Sequence, residues 1–242
     1  MRPKLIFTGP TLSHGEASKI MPEAICLPPA AQGAIIAAVQ RYEPGAIALI
    51  DGTFQSQPAV RHKEILWTIS RGIPVVGAAS MGALRAAELY PHMRGVGLIY
   101  RYYRRFAFAR DDAVAVLHGP AEVKFAALTD ALIDLRRTIR KAYRAQLISG
   151  EDSSTLESTA QALNFRERTL RRTVQDAFPH LDPAAIEQCY QMLSGQFVQQ
   201  KRRDAIAALH IMQDQAFPGA SLPEFQLTAA FQKDLEEAGL SI

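Results

Sequence analysis

The sequence predicts an α/β protein, with an N-terminal parallel sheet flanked by helices and an all-helical C-terminal region. Three observations carry that prediction. Short apolar runs alternate with amphipathic stretches through the first 120 residues, the rhythm of βαβ units. Two of those runs, AIALI at 46–50 and IPVV at 73–76, are apolar throughout, as strands covered on both faces are. From about Glu122 the texture changes to long stretches with apolar residues at helical spacing. The chain is therefore expected to divide into an α/β core over 1–121 and a helical region over 122–242 packed on it.

Residues 4–8 (KLIFT) read as the first strand and stop at Gly9-Pro10. Ser13 and Glu16 have capping-box spacing and open a short helix over 14–21. A second short strand over 23–27 is closed by Pro28-Pro29. The stretch 30–42 places Ile35, Ile36 and Val39 at helical spacing, and the strand at 46–50 ends at Asp51-Gly52. Residues 60–70 are amphipathic, with Ile65, Leu66 and Ile69 on one side; the strand at 73–77 and a helix over 82–90 follow. Residues 114–117 offer one further strand. A long helix is expected over 125–149, then helical segments over 154–165, 167–178, 183–209 and 222–238, with Asp182-Pro183 in the form of a helix start. This region is expected to cover the sheet's open edge.

Bulk properties narrow the function classes. With 48% hydrophobic residues and a net charge of +3, the chain is not of disordered composition. Charge is +5 over 1–120 and −2 over 121–242, too mild an asymmetry to argue for nucleic acid. Arg101-Tyr102-Tyr103-Arg104-Arg105-Phe106 interleaves aromatic and basic residues and reads as a solvated helix face with snorkelling arginines. Cys26 and Cys189 stand alone, in no metal or redox spacing. The apolar run at the N-terminus is too short for a signal peptide, and no run is long enough to span a membrane; a cytoplasmic protein is expected. No Walker loop, dinucleotide fingerprint or metal-ligand spacing is present, so no cofactor or metal is expected.

In open parallel sheets, ligands bind outside the carboxyl ends of the strands. Those ends carry Gly9-Pro10-Thr11, Pro28-Pro29, Asp51-Gly52 and Gly77-Ala78-Ala79-Ser80, which a parallel sheet brings to one edge. In Gly77-Ala78-Ala79-Ser80-Met81-Gly82-Ala83-Leu84-Arg85 a strand enters, Ser80 sits at the turn and a helix leaves. This departs from the full G-x-S-x-G elbow, because Ala78 replaces the first glycine. The AASMGA string also surrounds the nucleophilic serine of Clp-type proteases, which the rest of the chain does not resemble. Three roles stay open for Ser80: nucleophile, helix cap, or part of an anion site. A nucleophile needs a base. The candidates are His62, opening a helix, and His118, closing the strand expected at 114–117. Asp51 either orients such a base, binds ligand, or makes a turn with Gly52. Arg85 either contacts substrate or pairs with Glu88. Arg136, on the long helix, has no pattern of its own to single it out.

At these residues the chain resembles the TfuA-like family. The matching stretches are Phe7-Thr8-Gly9-Pro10-Thr11-Leu12-Ser13, Leu27-Pro28-Pro29-Ala30-Ala31-Gln32-Gly33, Ile50-Asp51-Gly52-Thr53-Phe54 and His62-Lys63-Glu64-Ile65-Leu66, with further matches from Gly77 to Leu89 and from Asp111 to Pro120. They cover roughly the first 140 residues, through Asp134-Leu135-Arg136. The resemblance implies a partner of a YcaO-domain enzyme, which uses ATP to activate a backbone amide for conversion to a thioamide. The partner's implied part is to supply sulfur, from the thiocarboxylate of a ubiquitin-like carrier protein, for modification of a precursor peptide. On that reading Ser80 attacks the thiocarboxylate, His62 or His118 is the base, and Gly9, Thr11, Asp51, Arg85 and Arg136 bind substrate. A noncatalytic docking module for carrier and YcaO enzyme, or a stand-alone serine hydrolase, are the alternatives.

Overall fold

A computed structural model describes residues 2–54, 57–106, 108–214 and 222–242. Five strands form one parallel sheet: β1 (Lys4–Phe7), β2 (Ile25–Leu27), β3 (Ala46–Leu49), β4 (Val75–Ala78) and β5 (Arg94–Val96), in the order β2-β1-β3-β4-β5. The chain leaves β1 for β2 on one side, then crosses back to β3 on the other. That reversal opens a crevice at the carboxyl ends of β1 and β3.

Helices cover both faces, and the two-residue period of a strand decides what each covers. Leu5, Phe7, Ile47, Leu49 and Val75 face α2 (Ala34–Tyr42), α3 (His62–Ser70), α4 (Met81–Glu88) and α5 (Gly97–Arg105). Ile6, Ala46, Ala48, Ile50, Val76 and Ala78 face the other way, against α1 (His14–Ile20) and the late helix α10 (Gln200–Gln213). The stripe Ala205, Ala208, Leu209 and Met212 on α10 has the spacing of one helix face, and its alanines let the helix lie close to the sheet. A second apolar cluster joins α6 (Leu132–Arg144), α7 (Gly150–Ala162), α8 (Leu170–Ala177) and α9 (Pro183–Ser194). The last helix, α11 (Ala229–Glu237), sends Phe231 and Leu235 into the first core. Among the described residues, no helix is long and apolar enough to cross a membrane.

The α/β fold class, the four early strands and the capping box of Ser13 and Glu16 agree with expectation. Four details differ. The fifth strand is Arg94–Val96, and 114–117 is not a strand; it follows a 3-10 turn at Asp111–Ala113. Its main chain is held instead by the Lys201 ammonium on the Val114 carbonyl (2.8 Å) and the Thr129 hydroxyl on the Leu117 N–H (2.7 Å). The long helix starts at Leu132, not 125, because 126–128 turn back to pair with 117–119. The helix expected over 183–209 is two helices; the Asp134 carboxylate accepts the N–H groups of Gln200 and Lys201 (2.8 and 3.1 Å) and so starts α10 afresh. Lastly, α10 lies on a face of the sheet and not along its open edge.

Candidate active site

The turn from β4 into α4 is built from residues too small to keep the two apart. A Cβ at Gly82 would lie 1.7 Å from the Leu49 carbonyl oxygen, and one at Gly77 would lie 2.1 Å from that of Gly82. Glycine at both positions lets the first turn of α4 rest on the ends of β3 and β4. The close approach swings the chain through a left-handed Ala79 (φ 68°), a conformation costing about 1–2 kcal/mol without glycine. Ser80 follows at φ −121° and ψ −125°. The residue is 8% exposed, and its side chain makes no cap hydrogen bond to α4. Among the described residues its hydroxyl has no hydrogen-bond partner at all.

That hydroxyl lies on a cavity of about 130 Å³. Pro10 and Gly52 reach it from the loops after β1 and β3, Met81 and Leu84 from α4, and the irregular stretch 114–118 closes the opposite wall. Phe54 and Phe165, edge to face at 5.5 Å, add an apolar side. The first residue of a helix has no acceptor for its N–H within the helix. Among the described residues the main-chain N–H groups of Met81 and Gly52 donate to nothing, and both residues line the cavity. Ser80 and two residues with unspent main-chain donors thus line the same small space.

Asp51 is buried beside them. One carboxylate oxygen accepts the N–H groups of Gly9 and Thr11 (2.9 Å each), and the other accepts the Thr11 hydroxyl (2.5 Å). The Gly9 and Thr11 amides are therefore spent on Asp51, which ties the β1 loop to the β3 loop. Of the two histidines, His118 lines the cavity and His62 does not. The Nδ1 of His118 lies 2.8 Å from the Gly119 carbonyl. A carbonyl only accepts, so Nδ1 carries the proton, and in the neutral ring Nε2 is left with a free lone pair. Its ring is set against Phe125 at 6.1 Å.

His62 sits outside, 2.8 Å from Glu88, whose carboxylate also takes Arg85 at 2.7 Å. Burial raises the Glu88 carboxyl, but hydrogen bonds from His62 and Arg85 outweigh it and hold it below its ordinary value. Arg85 also donates to the Val60 carbonyl (3.0 Å). Asp111, on the cavity rim, is raised by burial and then by Glu88 close by. Arg136 points elsewhere, to Gln161 (2.5 Å) and Glu157 (3.8 Å) on α7. Ser80, Asp51 and His118 are thus brought to one cavity, with Gly9 and Thr11 bonded to Asp51. His62 and Arg85 share a carboxylate nearby, and Arg136 stands apart.

Sequence reasoning did not select Lys201, Asp134 or Arg168. Lys201 is buried, and its ammonium bonds to the Val114 carbonyl in the cavity wall. Burial lowers its pKa, against the pull of Asp51 and Asp134. Arg168 has no exposed surface; it bonds the carbonyls of Ala160, Leu163 and Asp112 and the Asp112 carboxylate (2.8 Å). It thereby fixes the 3-10 turn that carries Asp111. Lys201 lies on α10 and Arg168 between α7 and α8, both in polar stretches where no residue pattern sets a buried cation apart from a solvated one.

No curated protein matches the chain. Residues 51–169 match the family model described as TfuA-like protein, a span that opens on the Asp51 turn and takes in Ser80, His118 and Arg168. The resemblance read from the sequence is borne out, and the chain carries a TfuA-like region around its candidate active site.

Proposed function

We propose that this protein is the partner of a YcaO-domain enzyme in peptide backbone thioamidation, and that it releases sulfide from the thiocarboxylate of a ubiquitin-like carrier. The family match supports the first part. One observation carries the second: Ser80, whose hydroxyl has no hydrogen-bond partner among the described residues, lines a small cavity with His118 and with Gly52 and Met81, whose main-chain N–H groups are unspent.

In this reading His118 Nε2 takes the Ser80 proton as Oγ attacks the thiocarboxylate carbon. The oxyanion that forms is stabilised by the N–H groups of Met81 and Gly52. As the intermediate collapses the His118 imidazolium gives its proton to the sulfur, the C–S bond breaks and hydrosulfide leaves, with the carrier's terminal carbonyl held as an ester on Ser80 and His118 neutral again. Water, deprotonated by the same histidine, then cleaves the ester and returns the carrier as its carboxylate. The balance is one thiocarboxylate anion and one water to one carboxylate, one hydrosulfide and one proton, with no redox step. Hydrosulfide is a good leaving group, so a serine assisted by histidine suffices. Asp51 with Gly9 and Thr11 keeps the cavity floor in shape, and Arg85 lies by the rim that an incoming tail passes.

Ser80→Ala, incubated with thiocarboxylated carrier, is expected to release sulfide at least about a thousandfold more slowly than wild type. His118→Ala should be similarly impaired and His62→Ala should not. Release by Ser80→Ala at the wild-type rate would remove the serine from the chemistry.

A further inference from the structure

The helix α5 and the turn after it leave a surface that the fold does not use. Phe108 is 102% exposed, Tyr90 57% and Phe106 50%. Two groups of contacts lie on it: Arg104 stacks on Tyr90 at 4.1 Å, and Arg105 lies 5.6 Å from the Phe106 ring, which meets Tyr102 at 5.2 Å. Most arginines around it are paired, Arg110 with Asp112 and Arg140 with Glu157 among them. Among the described residues, none of Arg101, Arg104 and Arg105 has a carboxylate partner. Exposed aromatics beside unpaired arginines are the composition of a protein interface.

Its position gives it a purpose. Asp111 lies on the cavity rim, and α5 is tied to the residue before it by the Tyr103 hydroxyl, which donates to the Arg110 carbonyl (3.0 Å). A macromolecule that inserts its end into the Ser80 cavity must rest on what borders the mouth.

We propose that this face docks the acidic surface of the protein whose C-terminal thiocarboxylate enters the cavity. The inference rests on the sulfide-releasing reading above. An uncompensated positive surface calls for a negative one, and the aromatic rings supply apolar contact at its centre. A protein fits better than a nucleic acid, because the Tyr90 and Phe106 rings are already approached by guanidinium groups and are not open platforms for bases.

The test compares a ubiquitin-like carrier thiocarboxylated by intein thiolysis with thioacetate, which needs the cavity but no docking face. For Arg101→Glu/Arg104→Glu/Arg105→Glu the KM for carrier should rise about tenfold or more, with thioacetate hydrolysis unchanged. On the wild type, raising salt from about 50 to 300 mM should weaken carrier binding several-fold, and Phe108→Ser should do so at constant salt. Carrier kinetics unaltered in both variants would overturn the proposal, as would tighter binding of a single-stranded RNA oligonucleotide than of carrier. If wild type hydrolyses neither substrate, the sulfide-releasing reading fails. Docking is then decided by carrier binding measured directly by fluorescence anisotropy, where equal affinity in wild type and variants sinks it.

Discussion

A methyl group at position 82 would fall on the Leu49 carbonyl, and nothing there can move without pulling β3 out of the sheet. Gly82→Ala is therefore expected to cost about 3 kcal/mol or more, read as a lower urea midpoint. Ser80→Ala should leave that midpoint nearly in place, since the Ser80 hydroxyl has no hydrogen-bond partner among the described residues. At this scale much of the site was legible. The small residues from Gly77 to Gly82 announce a tight strand-to-helix turn, and Asp51-Gly52 marks a strand end. Which of His62 and His118 lines the cavity was not legible. It depends on where 114–118 runs, and that stretch is held by Lys201 and Thr129, far off in sequence. Nor does any residue type disclose that Arg136 turns to Gln161.

The element that binds the two halves is α10, and its start is electrostatic. Asp134 on α6 caps it, and burial pushes that carboxyl up to about 6. In the folded protein it binds a proton more readily than the free side chain does. Its contribution to stability is therefore present at low pH and is lost as pH rises from about 4 to 6, at most of the order of 2–3 kcal/mol. Asparagine keeps the oxygen that accepts from Gln200 and Lys201. Asp134→Asn should consequently gain on wild type as pH is raised across that range in urea titrations. Parallel curves for the two proteins would show that burial at this carboxyl is compensated. Arg168→Met breaks a buried pair and orphans three carbonyls, and should cost about 3 kcal/mol, or roughly 10 °C in Tm. The helices themselves were legible from apolar spacing and from caps such as Asp182-Pro183. The break before α10 was not, because its cause is a carboxylate 66 residues earlier in the chain.

Taken whole, the molecule is a sheet whose second face is covered by a helix from the far end of the chain. The texture change near residue 121 is visible in the sequence, yet the cavity takes Phe165 and Arg166 from beyond it, and Lys201 reaches back to Val114. A fragment of residues 1–121 should therefore give no cooperative thermal transition, since Ile6, Ala48, Ile50 and Val76 lose the α10 stripe that covers them. Parallel strands announce themselves by apolar runs; which distant helix lies on them is decided by packing that no local pattern records.

Trapping the ester tests the account most directly. Wild type mixed with excess thiocarboxylated carrier and acid-quenched within the first turnover should, by intact mass followed by peptide mapping, carry the carrier's C-terminus joined to Ser80. A carrier released as free carboxylate at the wild-type rate by Ser80→Ala, with no adduct on any serine, would contradict it.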